Sequence, residues 1–285
     1  MKANSSNRLT QNMKNMMILF HNPSGYIALS ILCILVIPSL FAEIISPTDP
    51  LAFVGPRLHP PSSEHPFGTD FLGRDVFVLI LYGIRTTLLV SFLSTLIVVP
   101  IAILLGSLSG YFEGFIDIVL MKIAESFMVL PRTVFALILI AVLGPSLYNI
   151  LISIMVTTWP QVYVIIRNEV KRVKYNTFIE SAHAIGESNI RIILSEILPN
   201  ITHIILTAYF IMLSLAAMLE ATLSFFNLGD PNSVSIGFIL RSSHIYIERA
   251  PWLMFFPGIF LTLFIVSLNM ISDILVDPKN RGIVR

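Results

Sequence analysis

The sequence predicts an all-α membrane protein with about six spanning helices. Of its 285 residues, 55% are hydrophobic and 12% charged, and the mean hydropathy is +0.83. A soluble domain carries roughly twice that share of charge, so much of this surface must face lipid. Apolar stretches long enough to cross a bilayer recur near 26–46, 84–109, 115–143, 147–167, 201–226 and 252–275.

The first stretch, Tyr26 to Ile45, is too long for a signal-peptide core and has no small-residue cleavage site. It reads as a retained anchor. Residues 1–25 read as a cytosolic tail with Lys2, Arg8 and Lys14, and residues 47–83 as an external loop rich in proline. A five-helix core is expected over 84–275, with an inside loop at 168–200 and a second cytosolic tail at 276–285. The third stretch is irregular, holding Glu113, Asp117, Lys122, Glu125 and Arg132, and Pro131 predicts a kink in it. The segment Asn227–Pro251 reads as a second external loop.

Lysine and arginine set the orientation. Arg167, Lys171, Arg172, Lys174 and Arg191 crowd the loop between the fourth and fifth stretches, and Lys279, Arg281 and Arg285 close the chain. With both ends inside, the basic residues lie mostly inside, and an even number of spans follows. A net charge of +1 without a basic stripe argues against nucleic-acid binding. Cys33, the single cysteine, lies in an apolar run and reads as an inert thiol.

The inside loop has internal structure. Glu180, Ser181, Ala182, His183, Ala184 and Ile185 favour helix, Gly186 permits a sharp turn, and Ser188–Asn189 can cap a second helix. That second helix is amphipathic, with apolar residues at 190, 193, 194 and 197, and is expected to stop at Pro199. A helix, a glycine bend and a membrane-lying helix make a knob suited to a partner's groove.

The spacing Glu180-Ser181-Ala182, Gly186, Leu198-Pro199 resembles the EAA loop of permease subunits of ATP-binding cassette importers. Ser181 stands where alanine is usual, and Glu196 where isoleucine is frequent. The run His65-Pro66-Phe67-Gly68-Thr69-Asp70 with Leu72-Gly73-Arg74-Asp75-Val76 is similar to the second permease of dipeptide, oligopeptide and nickel importers. So are Gly83 to Leu88, Gly144-Pro145-Ser146, Trp159-Pro160, Glu220 to Phe225, Pro251-Trp252 and Asp273 to Pro278, although Phe226-Asn227 replaces the usual Leu-Gly.

The resemblance implies the binding-protein-dependent, type I importer permease fold in a cell membrane. It implies a heterodimer with a second homologous permease, two ATP-binding subunits and an external substrate-binding protein. Glu180, Ser181, Ala182, His183, Gly186, Leu198 and Pro199 would then dock the ATPase, and peptides are the first substrate class implied. Nickel, metal chelates and oligosaccharides come after them. No Gly-x-x-x-x-Gly-Lys-Ser/Thr loop occurs, so no catalytic residue or cofactor is expected in this chain, with ATP and magnesium held by the partner ATPase.

His65, Gly68, Thr69, Asp70, Gly73, Arg74 and Asp75 are candidates for an external gate or receptor contact. The alternative is a helix entry capped by Thr69 or Asp70. His65 alone does not make a metal site. Arg85, Glu220 and Ser224 are candidates for pore lining or helix packing, and Asp273 for a hydrogen bond to a neighbouring helix. An ion-gradient transporter would require internal repeats and interrupted helices with midplane sites, and a membrane enzyme paired catalytic residues; neither pattern stands out.

Overall fold

A computed structural model describes residues 22–276. The lysines and arginines expected in the two tails, and Asp277-Pro278, therefore lie outside the described residues. Helix α1 spans Pro23–Leu40, where Asn22 accepts a hydrogen bond from the Ser24 N–H at 3.2 Å. A short α2, Ala42–Ile45, follows after a break at Phe41, so the first stretch is two pieces rather than one.

Helix α3, Val76–Phe112, is 37 residues long, about 56 Å at 1.5 Å per residue. It starts well before residue 84, because Asp75 caps it by accepting from the N–H groups of Phe77 (2.8 Å) and Val78 (3.3 Å). The external loop thus ends at Asp75 rather than at residue 83.

The irregular third stretch is broken. Helix α4, Gly114–Met128, and α5, Arg132–Leu143, meet at 81° across the residues before and including Pro131. Helix α6 runs from Leu147 to Lys174, so residues 168–174 of the expected loop are helical. Beyond it come α7 (Thr177–Ala184), α8 (Asn189–Arg191), a π-helical turn (Ile192–Ile197) and α9 (Leu198–Asn200). Helix α10 is Thr202–Phe225 and α12 is Trp252–Val276.

Between these two the expected external loop folds inward as α11, Ile236–Ser243, with Ile236, Gly237, Ile239 and Ser243 buried. Ser235 supplies the cap, accepting from Phe238 N–H at 3.3 Å, and the apolar spacing Ile236/Ile239 supplies the buried face.

Five described helices are long and apolar enough to cross a membrane, and six if the bent pair counts as one span. Large apolar side chains point outward along them, including Ile34, Phe115, Val142 and Phe255. One core joins α3, α5, α6 and α10 to the loop after α6. A second joins α1, the first half of α3, α11 and α12. Helices α3 and α6 touch at Gly106 and Gly110, where an added Cβ would lie 3.0 Å from Arg167 N and 2.6 Å from Arg167 O respectively. A four-residue spacing of glycines puts both on one face and lets two backbones approach this closely.

Candidate docking loop and its anchor

The residues between α6 and α10 form a projecting knob at one end of the bundle. Helix α7 closes with two nested hydrogen bonds, Glu187 N–H to Ala182 O (3.1 Å) and Gly186 N–H to His183 O (3.0 Å). This pairing is the glycine-terminated helix stop, and it needs a left-handed residue at Gly186, whose φ is +82°. Among the described residues no atom beyond the two chain neighbours lies within 4 Å of where a Cβ on Gly186 would stand, so the turn is open to its surroundings. Glu180, Ser181, His183, Ile185 and Gly186 are exposed together.

Three predicted docking residues are not on this exposed surface. Ala182 is buried beside Ile179, and Leu198 and Pro199 are half-buried where the loop rejoins the bundle. Pro199 does not stop a helix either. It lies in α9, which continues the π-helical turn without leaving helical backbone and runs on to Asn200.

The amphipathic face also differs from the expected one. Ile192, Ile193 and Ile197 are buried, while Ile190 and Leu194 are exposed. A π-helical turn advances about one residue more per turn, bringing 192 and 197 onto one side. Ile190 and Leu194 instead border an apolar groove of about 470 Å³ with Pro100, Leu104, Phe112 and Leu198.

What ties the knob to the bundle lies in pairings that had no local sequence signal. The Tyr111 hydroxyl, at the end of α3, donates to Asn189 Oδ1 at 3.0 Å and lies 3.1 Å from His183 Nε2. Two residues on, Glu113 accepts from Lys174 Nζ (2.9 Å) and Tyr175 OH (2.7 Å), with Lys171 Nζ at 3.4 Å. Deeper still, both carboxylate oxygens of Asp117 on α4 accept from the Arg167 guanidinium on α6, and Ser109 on α3 donates to the same group. Tyr163 OH is 2.7 Å from Ser109 Oγ. Docking helix, α3, α4 and α6 are thus linked by side-chain bonds as well as by packing.

Hydrogen bonds from Lys174, then from Tyr175, hold the Glu113 carboxyl down to about 2, against an ordinary 4.5. A depressed folded value means the carboxylate's contribution is complete above about pH 4.5 and is lost as pH falls towards 2. Glu113→Gln is therefore expected to flatten the acid side of the stability profile. Melting temperatures of the purified protein between about pH 6 and about pH 3 should fall less steeply in the variant than in the wild type. Equal slopes would show that Glu113 does not carry this dependence.

At the opposite end, the residues proposed as a gate turn inward. Asp75, not Thr69 or Asp70, caps the helix, and it also takes a 2.7 Å contact from His65 Nδ1. Thr69, Asp70, Arg74, Gly68 and Gly73 are buried. Thr69 Oγ1 donates to Pro56 O at 2.5 Å and accepts from His59 N–H at 3.0 Å. Asp70 Oδ1 accepts from the N–H groups of Leu72 (2.8 Å) and Arg74 (2.9 Å). Arg74 Nε lies 3.1 Å from Asp70 Oδ2, but at an angle that makes a charge contact rather than a hydrogen bond. Phe67 stacks on Phe256 of α12 at 4.2 Å. The block is a folded plug that fixes the entry to α3.

The three packing candidates divide. Glu220 is buried and bridges helices, accepting from Thr87 Oγ1 (2.6 Å) on α3 and from Ser224 Oγ (2.7 Å). Arg85 pairs with Glu43 of α2 at 2.7 Å on the surface. Asp273 is exposed rather than bonded to a neighbouring helix among the described residues.

A bundle of spanning helices with an exposed, rigidly tied knob at one end defines a multi-pass membrane subunit. The sequence pattern described as "Binding-protein-dependent transport system inner membrane component" matches residues 102–283. The chain is 34% identical over 267 residues to the dipeptide transport system permease protein of Alkalihalophilus pseudofirmus, covering 92% of this chain and 88% of that one. It is 28% identical over 277 residues to the oligopeptide transport system permease protein of Bacillus subtilis, covering 94% and 90%. It is 30% identical over 223 residues to the glutathione transport system permease protein of Pectobacterium atrosepticum, covering 77% and 74%. The chain belongs to the family of binding-protein-dependent inner-membrane transport components, and it is a permease subunit of an ATP-binding cassette importer.

Proposed function

We propose that the chain forms half of a peptide-conducting pore and that the knob at Glu180–Gly186 receives an ATP-binding subunit. The exposed surface around the Gly186 turn supports the docking reading, because its shape is fixed by backbone bonds and Glu180, Ser181, His183 and Ile185 stand exposed on it. The permeases described above, named for dipeptides, oligopeptides and glutathione, support a peptide cargo. A second homologous permease completes the pore, and an external binding protein delivers substrate. ATP and magnesium belong to the docked subunits. The knob and both termini face the cytosol, as the crowding of Arg167, Lys171, Arg172 and Lys174 at that end favours.

ATP-driven closure of two ATPases would press the knobs together. Tyr111, Glu113 and Asp117 would pass that movement to α3, α4 and α6 as a rigid-body rocking. The test is to express the complete transporter with this chain tagged. An ATP-binding subunit should co-purify, and a short peptide should be the ligand recovered on the external binding protein. Purification of the chain without any nucleotide-binding subunit would overturn the docking reading. Recovery of a sugar or a nickel chelate would overturn the peptide reading.

A further inference from the structure

Arg132 lies where a charge is costly. It opens α5 at the bend of the third span, and its guanidinium donates to the side chain of Gln161 on α6. Gln161 stands four residues, about 6 Å, from the centre of the apolar stretch 147–167. Among the described residues Arg132 forms no ion pair. Its planar fork has five N–H donors, so most of its hydrogen-bonding capacity is unspent on Gln161. Ionised groups at this depth face a bundle interior or a water-filled path, because lipid cannot solvate them.

Independently, the backbone at this point also lacks acceptors. Pro131 is the cap residue of the 12-residue α5, and among the described residues no side chain caps the first turn. A helix start in a membrane presents free N–H groups and the positive end of its dipole, and both need an anion, water or a partner. Val129 and Leu130 beside it are exposed, so the break is open. The half-buried rings of Phe127, Phe135 and Trp159 form an aromatic wall next to it, with Phe127 centred 6.0 Å from Phe135 and 5.6 Å from Trp159.

We propose that Arg132 and the uncapped start of α5 form a carboxylate-binding subsite on the translocation path, which takes the C-terminal carboxylate of a peptide in transit. The aromatic wall offers apolar surface to the neighbouring peptide side chain. The ligand rests on the peptide reading above, whereas the placement of Arg132 on an aqueous path does not.

Two measurements on the complete transporter test this. The first uses Arg132→Cys in a Cys33→Ser background and a charged, membrane-impermeant thiol reagent. Labelling of position 132 in the assembled complex is expected. Labelling only after the second permease is removed would put Arg132 against an acid of that partner and overturn the proposal.

The second compares uptake of a well-carried peptide with uptake of its C-terminal amide. Arg132→Gln is expected to cut free-acid uptake about tenfold, the loss of a charge-assisted pair, while amide uptake holds. Arg132→Lys should keep most of the preference. Equal losses for acid and amide would overturn the subsite. Because the external binding protein is common to all variants, a change in the acid-to-amide ratio reports the permease alone. A wild type that carries no peptide would overturn the peptide ligand, and the labelling result would still place Arg132 on or off the path.

Discussion

Gly186→Asp is expected to lower ATP-driven uptake by tenfold or more, about 1.4 kcal/mol of lost coupling, while the protein still inserts and folds. Two features of the turn separate these outcomes. The φ of +82° suits glycine, and an aspartate there costs about 1–2 kcal/mol of local strain, which a packed bundle tolerates. No other described residue comes within 4 Å of the would-be Cβ, so none of them is displaced. What changes is the knob's exposed tip, which gains a charge beside Ile185 and loosens the backbone bonds that end α7. Assayed in membranes, the variant should show normal abundance, weak retention of the ATP-binding subunit and poor uptake. Uptake at the wild-type level would remove Gly186 from the docking surface and leave it only a helix stop.

The spans and the knob were readable in the sequence because each rests on a local pattern. Apolar windows of membrane length mark helices, and Pro131 marked the bend. Gly186 marked the turn because only the left-handed region fits that hydrogen-bond pair. Three features were missed for different reasons. Helix α11 was hidden in a stretch rich in glycine and proline, where Ser235 was the only start signal. The π-helical turn at Ile192–Ile197 shifts the buried face by one residue, which no regular period predicts. The Gly106/Gly110 contact did have a signal, the four-residue spacing within an apolar helix.

The network around Tyr111 and Asp117 was invisible for a deeper reason. Asp117 and Arg167 are 50 positions apart, and Tyr111 and Asn189 are 78 apart. Pairings at that separation follow from how helices cross, not from any window of sequence. The block His65–Asp75 taught the converse. Its residue types invited a gate, yet their polar groups are consumed in holding one another, as Asp70 shows by accepting two backbone N–H bonds. Chemistry-bearing side chains in a loop are therefore poor evidence of a surface site until their partners are known.

Arg167→Met is expected to be the most destabilising single change, at about 3–5 kcal/mol, because it strands a buried carboxylate. Asp117 is about nine-tenths buried at its side chain, 11% exposed against 16% for Arg167. Its two oxygens accept from the guanidinium, with Ser109 as the one further donor among the described residues. Removing the cation leaves a desolvated charge at the junction of α3, α4 and α6, next to the close contact at Gly110. The double variant Asp117→Leu/Arg167→Met should recover most of the loss in stability, since an apolar pair of similar volume avoids the desolvation cost. Its transport should stay low if the pair also carries motion from the knob. Thermal unfolding in detergent, read beside uptake in membranes, separates the two roles. Recovery of both stability and transport by the double variant would show that the pair serves packing alone.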